Sequence, residues 1–176
     1  MLNNVKIKNG AGFTLIEVIV AIFIITVGVG GTVTLINQTI SFTQITSSKL
    51  VATYLVQEGI EIVKNIRDSN FLEIHKTGTG NWTDDLDGCS PSDNKFCEGD
   101  YAGSSLTSYD VPFEGNFLEI GGLGFYNYGS GIETPFKRKI TITPGIDILE
   151  VLVEVIWEER GRTHIVTIQE DLYKWW

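Results

Sequence analysis

The chain is poor in the residues most often used for chemistry. It holds two histidines, His75 and His164, and two cysteines, Cys89 and Cys97. A cysteine pair with no histidine nearby is a poor zinc site. His75 lies at the end of an expected helix and His164 beside an expected hairpin turn, and neither has a Ser or Cys nucleophile placed near it. No Walker loop, H-E-x-x-H, G-x-S-x-G or paired-cysteine metal motif occurs. Gly121-Gly122-Leu123-Gly124 is expected to have no strand before it and no helix start after it, so it makes no phosphate cradle. Glu58 and Glu61 are expected to face solvent. The chain offers no active site and calls for no cofactor.

Proline and basic residues are also scarce. There are four prolines and the first is Pro91, so nothing breaks a helix upstream of it. Thirteen Lys and Arg stand against 22 Asp and Glu, for a formal charge of −9. Residues 75–176 carry eight bases and seventeen acids. That balance argues against a nucleic-acid partner, because phosphate binding needs clustered Lys and Arg. The one basic cluster, Lys137-Arg138-Lys139, reads as a solvated strand face.

Long uncharged stretches are present. Val18–Ile36 is nineteen residues without a charge. At 1.5 Å per residue this spans about 30 Å, a full bilayer core rather than a short secretory h-region. No A-x-A site closes the run; the small residues Gly10-Ala11-Gly12 come before it. Lys6 and Lys8 lie on the same side, which keeps residues 1–12 cytoplasmic and exports the rest. The run holds Gly28, Gly30 and Gly31 among Val and Ile, a poor helix in water. In lipid, helix is nearly forced, because the backbone must satisfy its own hydrogen bonds. One carboxylate, Glu17, stands at the edge of the run. A charge near mid-bilayer costs roughly 2.5–3.5 kcal/mol, so such a group usually has a partner.

Downstream the pattern becomes amphipathic. Leu50, Tyr54 and Leu55, then Ile62 and Ile66, recur at helical spacing. Lys64 can pair with Glu61 and Asp68. The spacing predicts a helix continuing over 37–74, with a possible break where Thr39, Ser41, Thr43, Thr46, Ser47 and Ser48 crowd together. Residues 75–133 are loop-rich, with one or two short strands and many aromatics (Trp82, Phe96, Tyr101, Tyr109, Phe113, Phe117, Phe125, Tyr126, Tyr128) that pin the loops down. Cys89 and Cys97 lie there. In an exported domain they read as one disulfide, in a reducing compartment as free thiols. Acidic residues surround them, and Asp84, Asp85 and Asp87 are weak calcium candidates whose spacing fits no EF-hand loop.

From Thr134 the period is two. Phe136, Arg138, Ile140 and Ile142 alternate with Lys137, Lys139, Thr141 and Thr143. Pro144-Gly145 turns the chain. Ile148–Glu158 puts Val151, Val153, Val155 and Trp157 on one face. Glu159-Arg160-Gly161-Arg162 turns again, and Thr163–Leu172 returns, with Trp175 and Trp176 as a packed tail or an interfacial anchor. These strands, over 134–173, make an antiparallel meander whose open face needs a cover, and the amphipathic helix is the available one. The fold class is α+β. A long N-terminal helix, transmembrane in its first half and amphipathic in its second, packs on a C-terminal antiparallel sheet, with a loop-rich middle in an extracytoplasmic domain over 75–176.

The segment Lys8-Asn9-Gly10-Ala11-Gly12-Phe13-Thr14-Leu15-Ile16-Glu17-Val18, followed by the apolar run, resembles the prepilin family of type IV pili and type II secretion pseudopilins. A basic leader ends in Gly, an aromatic follows, and Glu stands four residues beyond it. The resemblance covers residues 1–36. It implies a leader peptide, 1–12, cut between Gly12 and Phe13 by a membrane prepilin peptidase, and N-methylation of Phe13 by the same enzyme. It implies a single-pass helix over 13–36, held in the cytoplasmic (inner) membrane and later packed in the core of a pilus or pseudopilus. Implied partners are that peptidase, other pilin or pseudopilin subunits, an assembly platform membrane protein and the lipid bilayer. Glu17 would pair with the amine of Phe13 and set subunit register. The helix lacks the proline common in major pilins, and the cysteines are closer together and more central, which favours a minor pilin or pseudopilin. The alternative is a filament-tip adhesin or DNA-uptake subunit whose loops bind a ligand.

Overall fold

A computed structural model describes residues 12–101, 103, 105–112, 114–129 and 131–175. Leader residues 1–11, Phe113 and Trp176 therefore lie outside the described residues. One helix, α1, runs Leu15–Thr77. Its hydrogen bonding is unbroken through the Thr- and Ser-rich junction. The hydroxyls there do not compete with the helix. Thr32, Thr34, Thr39, Ser41 and Thr43 each donate back to the carbonyl four residues earlier, at 2.8–3.1 Å. The helix stops at a glycine: Gly78 takes φ +72 and donates its N–H to Ile74 at 2.8 Å, a left-handed cap that satisfies a terminal carbonyl.

Two compact units meet between Gln44 and Ile45. In the first, α1 is exposed along its length. Phe13, Leu15, Phe23, Ile24 and Leu35 all lie open, and none of its apolar side chains is buried in this chain.

The second unit has a core. Among the described residues seven strands follow α1: β1 (Lys95–Glu98), β2 (Thr107–Asp110), β3 (Phe117–Ile120), β4 (Tyr126–Asn127), β5 (Ile132–Pro144), β6 (Ile148–Glu159) and β7 (Arg162–Tyr173). All pairings are antiparallel. The meander β5–β6–β7 stands where period two places it, with both turns where expected. The middle region differs from the one or two strands expected. It supplies four, and both β1 and β3 pair with the edge of β5 that β6 leaves free. β3 ends directly before Gly121, so a strand does precede the glycine-rich turn; β4, not a helix, follows it. These strands are two to four residues long and glycine-rich at their ends, too short for an alternation to be read.

Ala52, Leu55, Val56, Ile60 and Val63 of α1 pack with Ile140, Ile142, Val151, Val153 and Val155, all 3 % exposed or less. The buried stripe is offset from the one read in sequence. Leu55, Ile62 and Ile66 are buried, but Leu50 and Tyr54 lie open. Gly59 is the point of closest approach: a Cβ there would sit 2.7 Å from Val153 Cγ1 and 3.1 Å from Arg138 Cδ. Helix and sheet meet at this depth because the position carries no side chain.

Arg138 lies inside this layer and is 0 % exposed. Its guanidinium donates to the carbonyls of Leu55 (3.1 Å) and Gly99, and an ion pair reaches Glu58 at 3.4 Å. So Arg138 is not part of a solvated basic face, and Glu58 is half-buried rather than solvent-facing. Arg138 shares its face with the buried Phe136, Ile140 and Ile142, and its partners come from residues far away in sequence. Lys64 pairs with Glu61 (3.1 Å) as expected, but its second partner is Glu170 (2.8 Å), while Asp68 is taken by Arg67 (2.7 Å).

Candidate functional site

The start of α1 is organised by one side chain. Thr14 is the last non-helical residue. Its carbonyl accepts from the N–H groups of Glu17 (3.1 Å) and Val18 (3.3 Å), and its Oγ1 accepts from Glu17 N–H at 3.4 Å. Thr14 is thus the N-cap, and Thr14-Leu15-Ile16-Glu17 has the S/T-x-x-E spacing of a capping box. The sequence reading passed over Thr14, although that spacing was visible. Gly12, Phe13 and Thr14 precede the helix and belong to no helix or strand.

The consequences are local. The Gly12–Phe13 peptide bond is outside helical hydrogen bonding, and Phe13 is 81 % exposed. Gly12 has open space around it. Such a bond can be reached without unwinding the helix. Glu17 sits in the first turn, where a carboxylate complements the helix dipole. It makes no ion pair among the described residues. Phe13 and Glu17 are brought to the same helix end, and the apolar face beyond them is uncovered.

The other candidate residues are dispersed. Cys89 and Cys97 form a disulfide, Cα–Cα 5.2 Å, with both sulfurs buried. It ties the short 3₁₀ turn Asp87–Cys89 to β1. Asp84 accepts from Asn81 N–H at 2.8 Å, and Asp87 is 3.5 Å from the Thr83 hydroxyl. With Asp85 they form no group that could hold a metal among the described residues. His164 stacks on Trp157, centroids 5.1 Å apart, and Trp175 packs on Phe71 at 4.9 Å. One groove, about 640 Å³, is lined by Phe117, Glu133, Lys137, Ile156 and Trp157, among others. Its lysine is engaged with the carbonyl of Glu114 (2.7 Å) and the ring of Phe117 (4.3 Å).

The shifted titrations are structural as well. Hydrogen bonding to Glu170 raises the Lys64 ammonium above its usual value, against an opposing burial effect. Burial pushes the Tyr128 phenol strongly upward, and the charge of Arg138 offsets part of this. Tyr109 is raised by burial and by the carboxylate of Glu98.

No curated protein and no solved structure matches the chain. A family model does match its N-terminal end, over residues 7–33. That span contains Gly12, Phe13, Thr14, Glu17 and most of the uncharged run. Residues 7–33 carry the prokaryotic N-terminal methylation motif, typical of type IV prepilin-like proteins.

Proposed function

We propose that this protein is a structural filament subunit, a minor pilin or pseudopilin of a type IV pilus-like or type II secretion system. It is made as a prepilin, cut after Gly12 by a prepilin peptidase and N-methylated at Phe13. The observation that carries this reading is the junction at Thr14. The helix begins two residues after the Gly12–Phe13 bond, inside the matched methylation motif, and leaves that bond outside the helix. A peptidase can reach such a bond without unwinding the helix, and glycine at the cut leaves room beside a membrane surface.

The helix beyond is one element long and apolar enough to cross a membrane. It anchors the subunit with the second unit on the extracytoplasmic side, and later packs among neighbouring helices in the filament. Cutting creates an amine on Phe13, one helical turn from Glu17. That amine, on the same or a neighbouring chain, neutralises the carboxylate and fixes axial register. Apolar contact alone does not, because lipid competes for apolar faces.

Mass spectrometry of the membrane-extracted protein tests this directly. In cells with an active peptidase the mature chain begins at N-methylated Phe13; an intact Met1 there rejects the proposal. Glu17→Ala is expected to be processed normally yet to enter filaments poorly. Wild-type incorporation of that variant removes the register role.

A further inference from the structure

The meander ends in an open strand. β7 pairs with β6 over twelve residues in unbroken register, and with no other strand. Which of its backbone groups remain free follows from the turn. Arg160 and Gly161 both have positive φ (+55 and +70), the two-residue hairpin turn of type I′. Such a turn closes on a mutually bonded pair, here Glu159 and Arg162, and bonding alternates from there. Residues 164, 166, 168 and 170 therefore bond to β6. Thr163, Ile165, Thr167, Gln169 and Asp171 aim their N–H and C=O groups away from the sheet. No backbone hydrogen bond to these groups occurs among the described residues.

Natural sheets blunt such edges with proline, bulges, lysine or short length. β7 has no proline, no bulge and no lysine, and no Asp, Glu, Lys or Arg from Thr163 to Gln169. The core also thins toward this edge. Inward side chains on β6 (Val151, Val153, Val155) are fully buried, whereas His164, Val166 and Ile168 of β7 are half-covered. Both the unpaired backbone and the half-covered face are completed by one more strand.

We propose that the free edge of β7 is an interaction surface that takes an extended segment of a different protein chain. The charges at its two ends set the direction and pattern. Arg162 opens β7, and Glu170 and Asp171 lie near its close. An antiparallel partner therefore begins with a basic residue opposite Asp171 and ends with an acidic one opposite Arg162. Cross-strand neighbours share a face, so it places apolar residues opposite Ile168, Val166 and His164. A second copy fits less well: face-matched antiparallel pairing of β7 with itself sets Arg162 opposite Glu170, which Lys64 already holds at 2.8 Å, and leaves Asp171 with no basic residue opposite it.

The full chain in detergent micelles is titrated into a fluorescein-labelled decapeptide, Lys-Thr-Thr-Val-Thr-Val-Thr-Val-Thr-Glu, and anisotropy is followed. Saturable binding is expected. Thr167→Pro removes an edge N–H while leaving the β6 ladder intact, so its melting transition stays cooperative. It should weaken binding by about tenfold or more, the scale of a lost hydrogen bond plus an edge that no longer accepts a strand. The peptide with its terminal charges exchanged should bind more weakly to the wild type. Absence of wild-type binding, or equal binding by Thr167→Pro, overturns the proposal. So does a dimer of the wild-type chain in micelles that Thr167→Pro dissolves, because it gives the edge to a second copy. Processing after Gly12 is a separate measurement, so either reading can fail without the other.

Discussion

The two halves of α1 are one helix built for two surroundings. Between Leu15 and Gln44 the helix is apolar and exposed; its hydroxyls and backbone are satisfied within the helix itself. From Ile45 onward the same helix is anchored on one face by a packed sheet, by a buried arginine and by Lys64–Glu170. Helical hydrogen bonding is equally complete in both. What differs is what removes the apolar surface from water: a folded core in the second half, and in the first half something outside the chain. Lipid and neighbouring helices are the two media that do this without adding a sequence-encoded core.

The largest test of that contrast is Arg138→Ala. It leaves the carbonyls of Leu55 and Gly99 without their donor and Glu58 without its counter-charge. Removing one partner of a buried ionic network typically costs about 3–5 kcal/mol. Thermal unfolding in micelles, followed by near-ultraviolet circular dichroism of the tryptophans, should show the second unit melting early. Helix content from the first half should survive. Loss of both together would mean that the halves are one cooperative unit.

A matched pair sharpens the comparison at lower amplitude. Ile60 is 3 % exposed and Ile24 is 63 % exposed, on the same helix. Ile60→Ala should lower the stability of the second unit by about 2–4 kcal/mol, through lost burial and a residual cavity. Ile24→Ala should leave the same transition unchanged, and instead reduce membrane retention or filament incorporation. Equal effects on unfolding would erase the distinction drawn here.

Much of this division was legible in the sequence. Missing prolines and an uncharged run foretold one long helix, and period two foretold β5–β7, although Arg138 was read with Lys137 and Lys139 as a solvated face. The motif residues Gly12, Phe13 and Glu17 stood out for the same reason, as small, aromatic and charged residues at the border of an apolar stretch. Other features depended on contacts between distant residues. Leu50 and Tyr54 were assigned to the buried face because several stripes of α1 are apolar enough to serve. Gly59 drew no reading from the sequence; its role shows only with Val153 placed against it. Lys64 chose Glu170, a partner on β7, over the nearby Asp68. The short strands β1–β4 are held by β5 and by the disulfide more than by their own pattern, so local reading undercounted them.

The smallest effect expected concerns alkaline pH. Tyr128 carries a buried hydroxyl. Burial raises its pKa above the ordinary value near 10. In the unfolded chain the phenol ionises near that ordinary value, while in the folded chain it stays neutral to higher pH. Stability is therefore full below about pH 10 and is lost as pH rises beyond it, because the unfolded state releases its proton first. Lys64, raised by Glu170, acts with the same sign. Tyr128→Phe should leave stability at pH 7 unchanged within about 0.5 kcal/mol. It should make the decline above pH 10 shallower than in the wild type. The first half of α1 has no titratable group from Val18 to Ser48, so its helical signal should be flat across the same range. A wild-type slope in Tyr128→Phe would move the alkaline sensitivity to Tyr109, Tyr126 and Lys64.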